Sequence, residues 1–276
     1  MELLQITWNA NPELFSIGPL TVRWYGIFWA LSFLIGYEML SRMYKRDGVA
    51  RQEVDKLFIY MAIGSIIGAR LGHCYFYEFN YYIRNPIEVL MIWQGGLASH
   101  GGAIGIVIAL YYFRKKISSK SYLWVLDRVV IPVTLAAFFI RMGNLMNHEI
   151  YGYETSLPWG FEFIKNVPYW IVGADPVYTS PRHPTAIYEG LGYLLVLATL
   201  LGLYIKKGKK LPEGFLTGIF AISLFSVRFI VEFVKEVQSP FEEAMLLNMG
   251  QILSIPAIIA GILILWYSLR KKTANK

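Results

Sequence analysis

The stretch Arg141-Met142-Gly143-Asn144-Leu145-Met146-Asn147-His148-Glu149-Ile150-Tyr151-Gly152 crowds donors and acceptors into a few residues. An arginine offers a planar five-donor fork that suits a phosphodiester. Asn144 shares a helical face with Arg141 at i, i+3 if a helix continues that far. Asn144 and Asn147 add neutral donors, Glu149 a carboxylate, and Gly143 and Gly152 allow turns or close backbone approach. The same spacing also describes a polar helix exit closed by an Asx turn. A second group surrounds His100, in Gln94-Gly95-Gly96-Leu97-Ala98-Ser99-His100-Gly101-Gly102 with Gly105 beyond. Histidine is the side chain best suited to move a proton near neutral pH. The glycines are poor helix formers, and they equally serve close helix packing. Arg228 stands four residues before Glu232, a spacing that also makes an ordinary helical ion pair. Tyr25 and His183 complete the set, although His183-Pro184 is at the same time a helix-start signal.

These groups need a frame, and composition says which kind. Of 276 residues 55% are hydrophobic and only 16% charged, against about 25% charged in soluble domains. That excludes an ordinary soluble domain and a disordered chain, and points to a polytopic membrane protein. A single cysteine, Cys74, excludes an intrachain disulfide framework and a multi-cysteine metal site. Apolar stretches at about residues 24–44, 55–76, 95–113, 122–140, 184–205, 214–234 and 248–267 are each long enough to cross a core of about 30 Å. The expected fold is therefore all-α, with seven transmembrane helices.

Basic residues give the direction. Arg42, Lys45, Arg46, Arg51 and Lys56 follow the first span, and Arg114, Lys115, Lys116 and Lys120 the third. Lys206, Lys207, Lys209 and Lys210 follow the fifth, while Arg270, Lys271, Lys272 and Lys276 close the chain. The other side holds only Arg23, Arg84, Lys165 and Arg182. The positive-inside rule then puts the N-terminus outside and the C-terminus in the cytoplasm. The net charge of +7 belongs to this asymmetry, and no nucleic-acid partner is expected. Three regions follow: a membrane region at 1–140 with an outer arm at 77–94, an extracytoplasmic cap at 141–183 rich in proline and aromatics, and a membrane region with basic tail at 184–276.

Arg70, Arg128, Arg141, Arg228 and Lys235 fall within or at the edge of apolar stretches, where a charge costs on the order of 3 kcal/mol. Asp127, beside Arg128, gives that residue a ready ion-pair reading. Counting from Glu213, Arg228 lies about 22 Å up a core of about 30 Å. Tyr25, His100, Arg141, His183 and Arg228 thus collect at the outer-leaflet depth, more groups than snorkelling readily accounts for. Two arginines with a histidine and amides favour an enzyme acting on an anionic phospholipid. A transporter or flippase is the second class and a receptor or scaffold the third. Charges gathered at one face count against transport, and no protein nucleophile stands out for hydrolysis.

At these residues the chain resembles the bacterial phosphatidylglycerol–prolipoprotein diacylglyceryl transferase family. The resemblance runs through Gly18-Pro19-Leu20, Trp24-Tyr25-Gly26, Gly68-Ala69-Arg70-Leu71-Gly72, Trp93-Gln94-Gly95-Gly96 and His100-Gly101-Gly102. It continues through Arg141–Gly152, His183-Pro184, Tyr188-Glu189, Arg228-Phe229-Ile230-Val231-Glu232 and Gly250–Pro256, covering nearly the whole chain in order. The resemblance implies transfer of the diacylglyceryl group of phosphatidylglycerol to the lipobox cysteine of a preprolipoprotein, giving a thioether and glycerol phosphate. This is the first step of lipoprotein maturation, carried out in the bacterial plasma (inner) membrane with the active site near the outer leaflet. The nucleophile then comes from the substrate peptide, and Cys74 is expected to be structural.

By the same resemblance Arg141 binds the head group and Arg228 contacts the phosphate or leaving group. His100 is the candidate base with Tyr25 close by, and Asn144, Glu149 and Gly152 shape the head-group pocket. Glu232 is expected to orient Arg228. Partners are phosphatidylglycerol, the preprolipoprotein signal peptide and the bilayer; no metal or organic cofactor is implied. Two positions depart from the family pattern. His148 stands where Gly is expected in an Asn-Gly-Glu stretch, and Lys235 where relatives carry Arg. Lysine lacks the bidentate fork. Asp127 aligns with an acidic position of the family and is expected to be structural or gating.

Overall fold

Apolar runs bounded by lysine, arginine, glycine and proline fold as helices because a helix satisfies its own backbone polar groups where water is scarce. In the computed structural model of the protein the described residues are 6–18, 20–92, 95, 96, 98–237, 242 and 245–274. The expectations that involve Pro19, Trp93, Gln94, Leu97 and Lys276 lie outside them, as do those on the side chains of Lys209 and Lys272. The chain is mainly helical. Among the described residues the helices of 17 or more residues are α1 (Trp24–Arg46), α2 (Arg51–Phe76), α4 (Ser99–Lys116), α5 (Tyr122–Met146), α7 (Thr185–Lys207), α8 (Phe215–Val231) and α9 (Met249–Ala274). The short helices α3 (Phe79–Arg84) and α6 (Val167–Trp170) lie between them.

Four of these helices, α2, α5, α7 and α9, are long and apolar enough to cross a membrane, and α8 is a shorter apolar helix. Helix α1 carries Trp24, Tyr25, Trp29 and Tyr37 among its apolar residues, and α4 ends in Arg114, Lys115 and Lys116. Helix α5 continues past residue 140, which keeps Arg141 and Asn144 on one helical face.

The chain divides into two units, Met1–Glu38 with Val129–Lys276, and Met39–Arg128. In the first unit, β1 (Ile6–Thr7) pairs in parallel with β4 (Phe161–Glu162), and β2 (Glu13–Ile17) forms an antiparallel hairpin with β3 (Leu20–Arg23). Residues 147–184 fold without a long helix, closed by bridges such as Glu154 with Arg182 and Ile164 with Tyr178. Leu145, Phe161, Phe163 and Ala186 form the apolar core beneath them, joined by Trp8, Tyr151 and Ile187. The Trp8 indole donates to the Leu145 carbonyl (3.0 Å), tying the N-terminal segment to the end of α5.

In the second unit, α2 and α4 meet along glycines. A Cβ on Gly72 would lie 2.7 Å from Gly101 Cα, and one on Gly64 2.6 Å from Ala109 Cβ; Gly68 and Gly105 are tighter still. Side chains there would force the helices apart, which is how small residues allow close approach in apolar surroundings. The glycines near His100 therefore divide their work. Gly101 and Gly105 belong to the helix seam, whereas Gly95 and Gly96 take positive φ values of 87° and 68° in the turn before α4.

Candidate active site

The first unit gathers most of the expected site residues. Arg141, 9% exposed, donates through one terminal nitrogen to Asn144 Oδ1 (3.0 Å). Its Nε pairs with Oε2 of Glu189, a residue of α7 with no exposed surface. The Tyr193 hydroxyl, one turn on from Glu189, also hydrogen-bonds Arg141. Asn144 Nδ2 in turn donates to Glu149 Oε1 (2.8 Å), which accepts from Asn147 Nδ2 as well (3.2 Å). The result is a directed chain from the guanidinium through an amide to a carboxylate at the exposed end.

The turn that ends α5 makes this chain possible. Glu149 N–H donates to Asn144 O (3.1 Å) and His148 N–H to Leu145 O (3.2 Å), the paired bonds of a Schellman motif with His148 at its left-handed position. His148 has φ 54°, where glycine is usual and another L-residue costs about 1–2 kcal/mol. The departure from the expected Asn-Gly-Glu pattern therefore leaves the glycine-like turn intact. Two ring hydrogen bonds offset the strain: His148 Nδ1 accepts from Ile164 N–H (3.1 Å), and Nε2 lies 2.9 Å from Ala10 O.

Tyr25 reaches the same place because Gly143 leaves room for its ring. A Cβ on Gly143 would lie 2.5 Å from Tyr25 Cδ2, and the phenol is near enough to Glu149 and Arg141 to feel both charges. Gly152 is pinned by backbone. Its N–H donates to His183 O (2.9 Å), it bridges to Lys235, and a Cβ there would meet Val234 O and lie 2.7 Å from His183 Cβ.

The pairing of Glu232 corrects an expectation. Its carboxylate binds Lys235 Nζ (3.2 Å), and among the described residues no carboxylate lies within ion-pair distance of Arg228. Helix α8 ends at Val231, and the chain turns so that Lys235 folds back onto Glu232. Lys235 Nζ also stands 3.9 Å from Glu189 Oε1, so Glu189 faces two buried cations. Arg228 is close enough to Tyr193 and Lys235 to act on them electrostatically. Arg141, Glu189, Lys235 and Glu232 thus form a buried cluster of two cations and two carboxylates, with Arg228 beside it. Glu189 and Tyr193 were not among the expected site residues.

His183 accepts from, or donates to, Tyr188 Oη (3.2 Å), and that oxygen accepts from Trp159 Nε1 (2.9 Å). Pro184 caps α7 as the helix-start reading expects, and partial burial lowers the proton affinity of His183. In the second unit, His100 sits in the first turn of α4, its ring against Phe76 (5.3 Å) and Tyr77 (5.7 Å). Arg70 spends its fork on backbone: Nε donates to Val89 O (3.0 Å), one terminal nitrogen to Gly95 O (2.6 Å) and the other to Glu88 O. Arg128 binds Asp47 Oδ2 through Nε (2.9 Å) and a terminal nitrogen (2.8 Å) and stacks over Trp124.

A mainly helical chain with four helices long and apolar enough to cross a membrane has the build of an integral membrane protein. The chain belongs to the prolipoprotein diacylglyceryl transferase family, which it matches over residues 12–267. It is similar to the phosphatidylglycerol–prolipoprotein diacylglyceryl transferase of Chloroherpeton thalassium, at 41% identity over 98% of this chain and 97% of that protein. It is likewise similar to those of Tolumonas auensis (41%, covering 96% and 98%) and Porphyromonas gingivalis (41%, covering 98% and 97%).

Proposed function

We propose that the protein transfers the diacylglyceryl group of phosphatidylglycerol to the lipobox cysteine of a preprolipoprotein and releases glycerol phosphate. Family membership supports the reaction. The observation that carries the site assignment is Arg141, buried yet tethered at the side by Asn144 and Glu189, so that it is oriented before any phosphate arrives. A preorganised cation in a low-dielectric setting stabilises charge that develops on a leaving phosphate. Arg228, partly buried and without a carboxylate partner among the described residues, is the second cation for that phosphate. The substrate thiol attacks the glyceryl carbon as thiolate, the new C–S bond forms, and the C–O bond to phosphate breaks. His100 takes the thiol proton and Tyr25 assists the reaction, while Glu149 and Gly152 shape the head-group pocket.

In this reading all seven long helices span the bacterial plasma membrane, with the N-terminus outside and the C-terminus in the cytoplasm. The segment between α5 and α7 is an outward cap that guides the signal peptide's cysteine to a lipid entering sideways. The test uses purified protein in detergent, phosphatidylglycerol with labelled acyl chains and a lipobox peptide with one cysteine. Mass spectrometry is expected to find a diacylglyceryl adduct on sulfur with wild type and none with a folded Arg141→Ala variant. Well-folded wild type that forms no adduct with any of several anionic lipids would return the weight to lipid transport.

A further inference from the structure

We propose that His148 is a positioning residue that locks the Asn144–Glu149 turn to the N-terminal segment and to the 161–164 strand region, and that protonation of its ring releases the lock. The proposal rests on the reading of Asn144 and Glu149 as lining the lipid head-group pocket. Glycine at the same position would make the turn but could not reach either tether.

The hydrogen bonds decide the ring's state. Ile164 N–H can only donate, so Nδ1 must be the unprotonated nitrogen, and Nε2 carries the proton it gives to Ala10 O. Both tethers are satisfied by this one neutral tautomer. The ring is 4% exposed, between the edges of Phe163 (6.3 Å) and Trp170 (5.8 Å), so water cannot substitute for a lost partner. A second ring proton would set Nδ1–H against Ile164 N–H, two donors face to face, and one of them must move. Ile164 is itself buried in the strand region, and Ala10 follows the segment that Trp8 ties to Leu145. Opening the lock therefore loosens the turn that presents Glu149 to Asn144.

The charged groups around the ring do not offset this. Glu149, next in the chain, faces Asn144 and Asn147; Glu162 of β4 accepts from Thr7 (3.1 Å); Lys165, beyond Ile164, is exposed. Helix α6 contributes Trp170. Burial lowers the proton affinity of His148 and outweighs the opposing pull of the Ala10 carbonyl. A group whose folded pKa is depressed below the usual histidine value of about 6.5 contributes its full stability above that value. The contribution is lost as pH falls through it towards the lower folded pKa. On the outward side of a membrane, the pH sensed is that of the surroundings.

The test compares wild type, His148→Gly and His148→Asn in full-length protein. Diacylglyceryl transfer to a lipobox peptide is measured from about pH 5 to 8, with amide exchange at Ile164 corrected for intrinsic rate. Wild type is expected to lose at least about threefold in kcat/KM between pH 7.5 and 5.5, beyond any fall in the variants, with faster Ile164 exchange in acid. Both variants tolerate the left-handed turn, so the asparagine form carries the comparison if the glycine form does not fold. The same acid limb in all three proteins, or Ile164 exchange in wild type that ignores pH, overturns the lock. Acid-loosened Ile164 in wild type with unchanged transfer would keep the lock and instead remove Asn144 and Glu149 from the head-group pocket.

Discussion

Glu189 has no exposed surface, and neither of its oxygens has an aligned hydrogen bond among the described residues; its partners are the charges of Arg141 and Lys235. Removing one member of such a group leaves an uncompensated charge in the interior, typically at a cost of about 3–5 kcal/mol. Glu189→Gln is thus expected to lower the unfolding temperature in detergent and raise KM for phosphatidylglycerol more than KM for the peptide. Adding Lys235→Met to it removes the matching cation and should recover part of the loss; no recovery would mean that the pairing is incidental. Gly143→Ala tests a different contact, since the new methyl meets the Tyr25 ring and overpacking costs about 1–3 kcal/mol. Its expected outcome is a drop of about tenfold or more in kcat/KM, measured beside an unfolding curve. The sequence displays Arg141, Asn144 and Glu149 plainly because they lie within nine residues, and one turn of helix joins the first two. Glu189 was hidden by its distance along the chain. Its signal was nonetheless present: a carboxylate in an apolar helix with Thr185, Ala186, Gly192 and Tyr193 at the neighbouring positions, and no cation there to pair with it.

At the scale of elements, hydropathy and basic flanks located the starts of the long helices to within four residues, since a continuous apolar run has few other ways to satisfy its backbone. Helices α5 and α9 run on past their expected ends at 140 and 267 to Met146 and Ala274. What hydropathy could not reveal was partnership. Gly64, Gly68 and Gly72 recur every fourth residue on α2, yet nothing in α2 alone says that Gly101 and Gly105 of α4 fill the same seam. The seam makes a contrast that can be measured. Gly68→Ala is expected to destabilise the protein clearly, because a Cβ there runs into the α4 backbone around Gly101 and Gly105. Gly102→Ala, with its nearest contacts at 3.5 Å, should be close to neutral by the same unfolding measurement. Equal effects would mean that the seam is looser than drawn. The paired strands β1 and β4 were illegible for a simpler reason: two residues carry no period, and their partners stand far apart in the chain.

For the molecule as a whole, the charge asymmetry predicts sidedness that geometry alone does not. A cysteine introduced at the exposed position Asp175 should react with a membrane-impermeant maleimide applied to intact cells, and one at exposed Lys207 only after the membrane is opened. Cys74 is buried and supplies a low background. The reverse pattern would invert the proposed threading. Arg70 carries a last consequence for how such a chain can vary over generations. It grips the arm and the turn after it by the carbonyls of Glu88, Val89, Gly95 and Gly96, and a carbonyl is the same whatever side chain follows it. Substitutions along the arm are therefore cheap in evolutionary terms, whereas a change in its length would slip every carbonyl out of the arginine's reach. Lineages can retune the arm's surface freely while its register stays fixed.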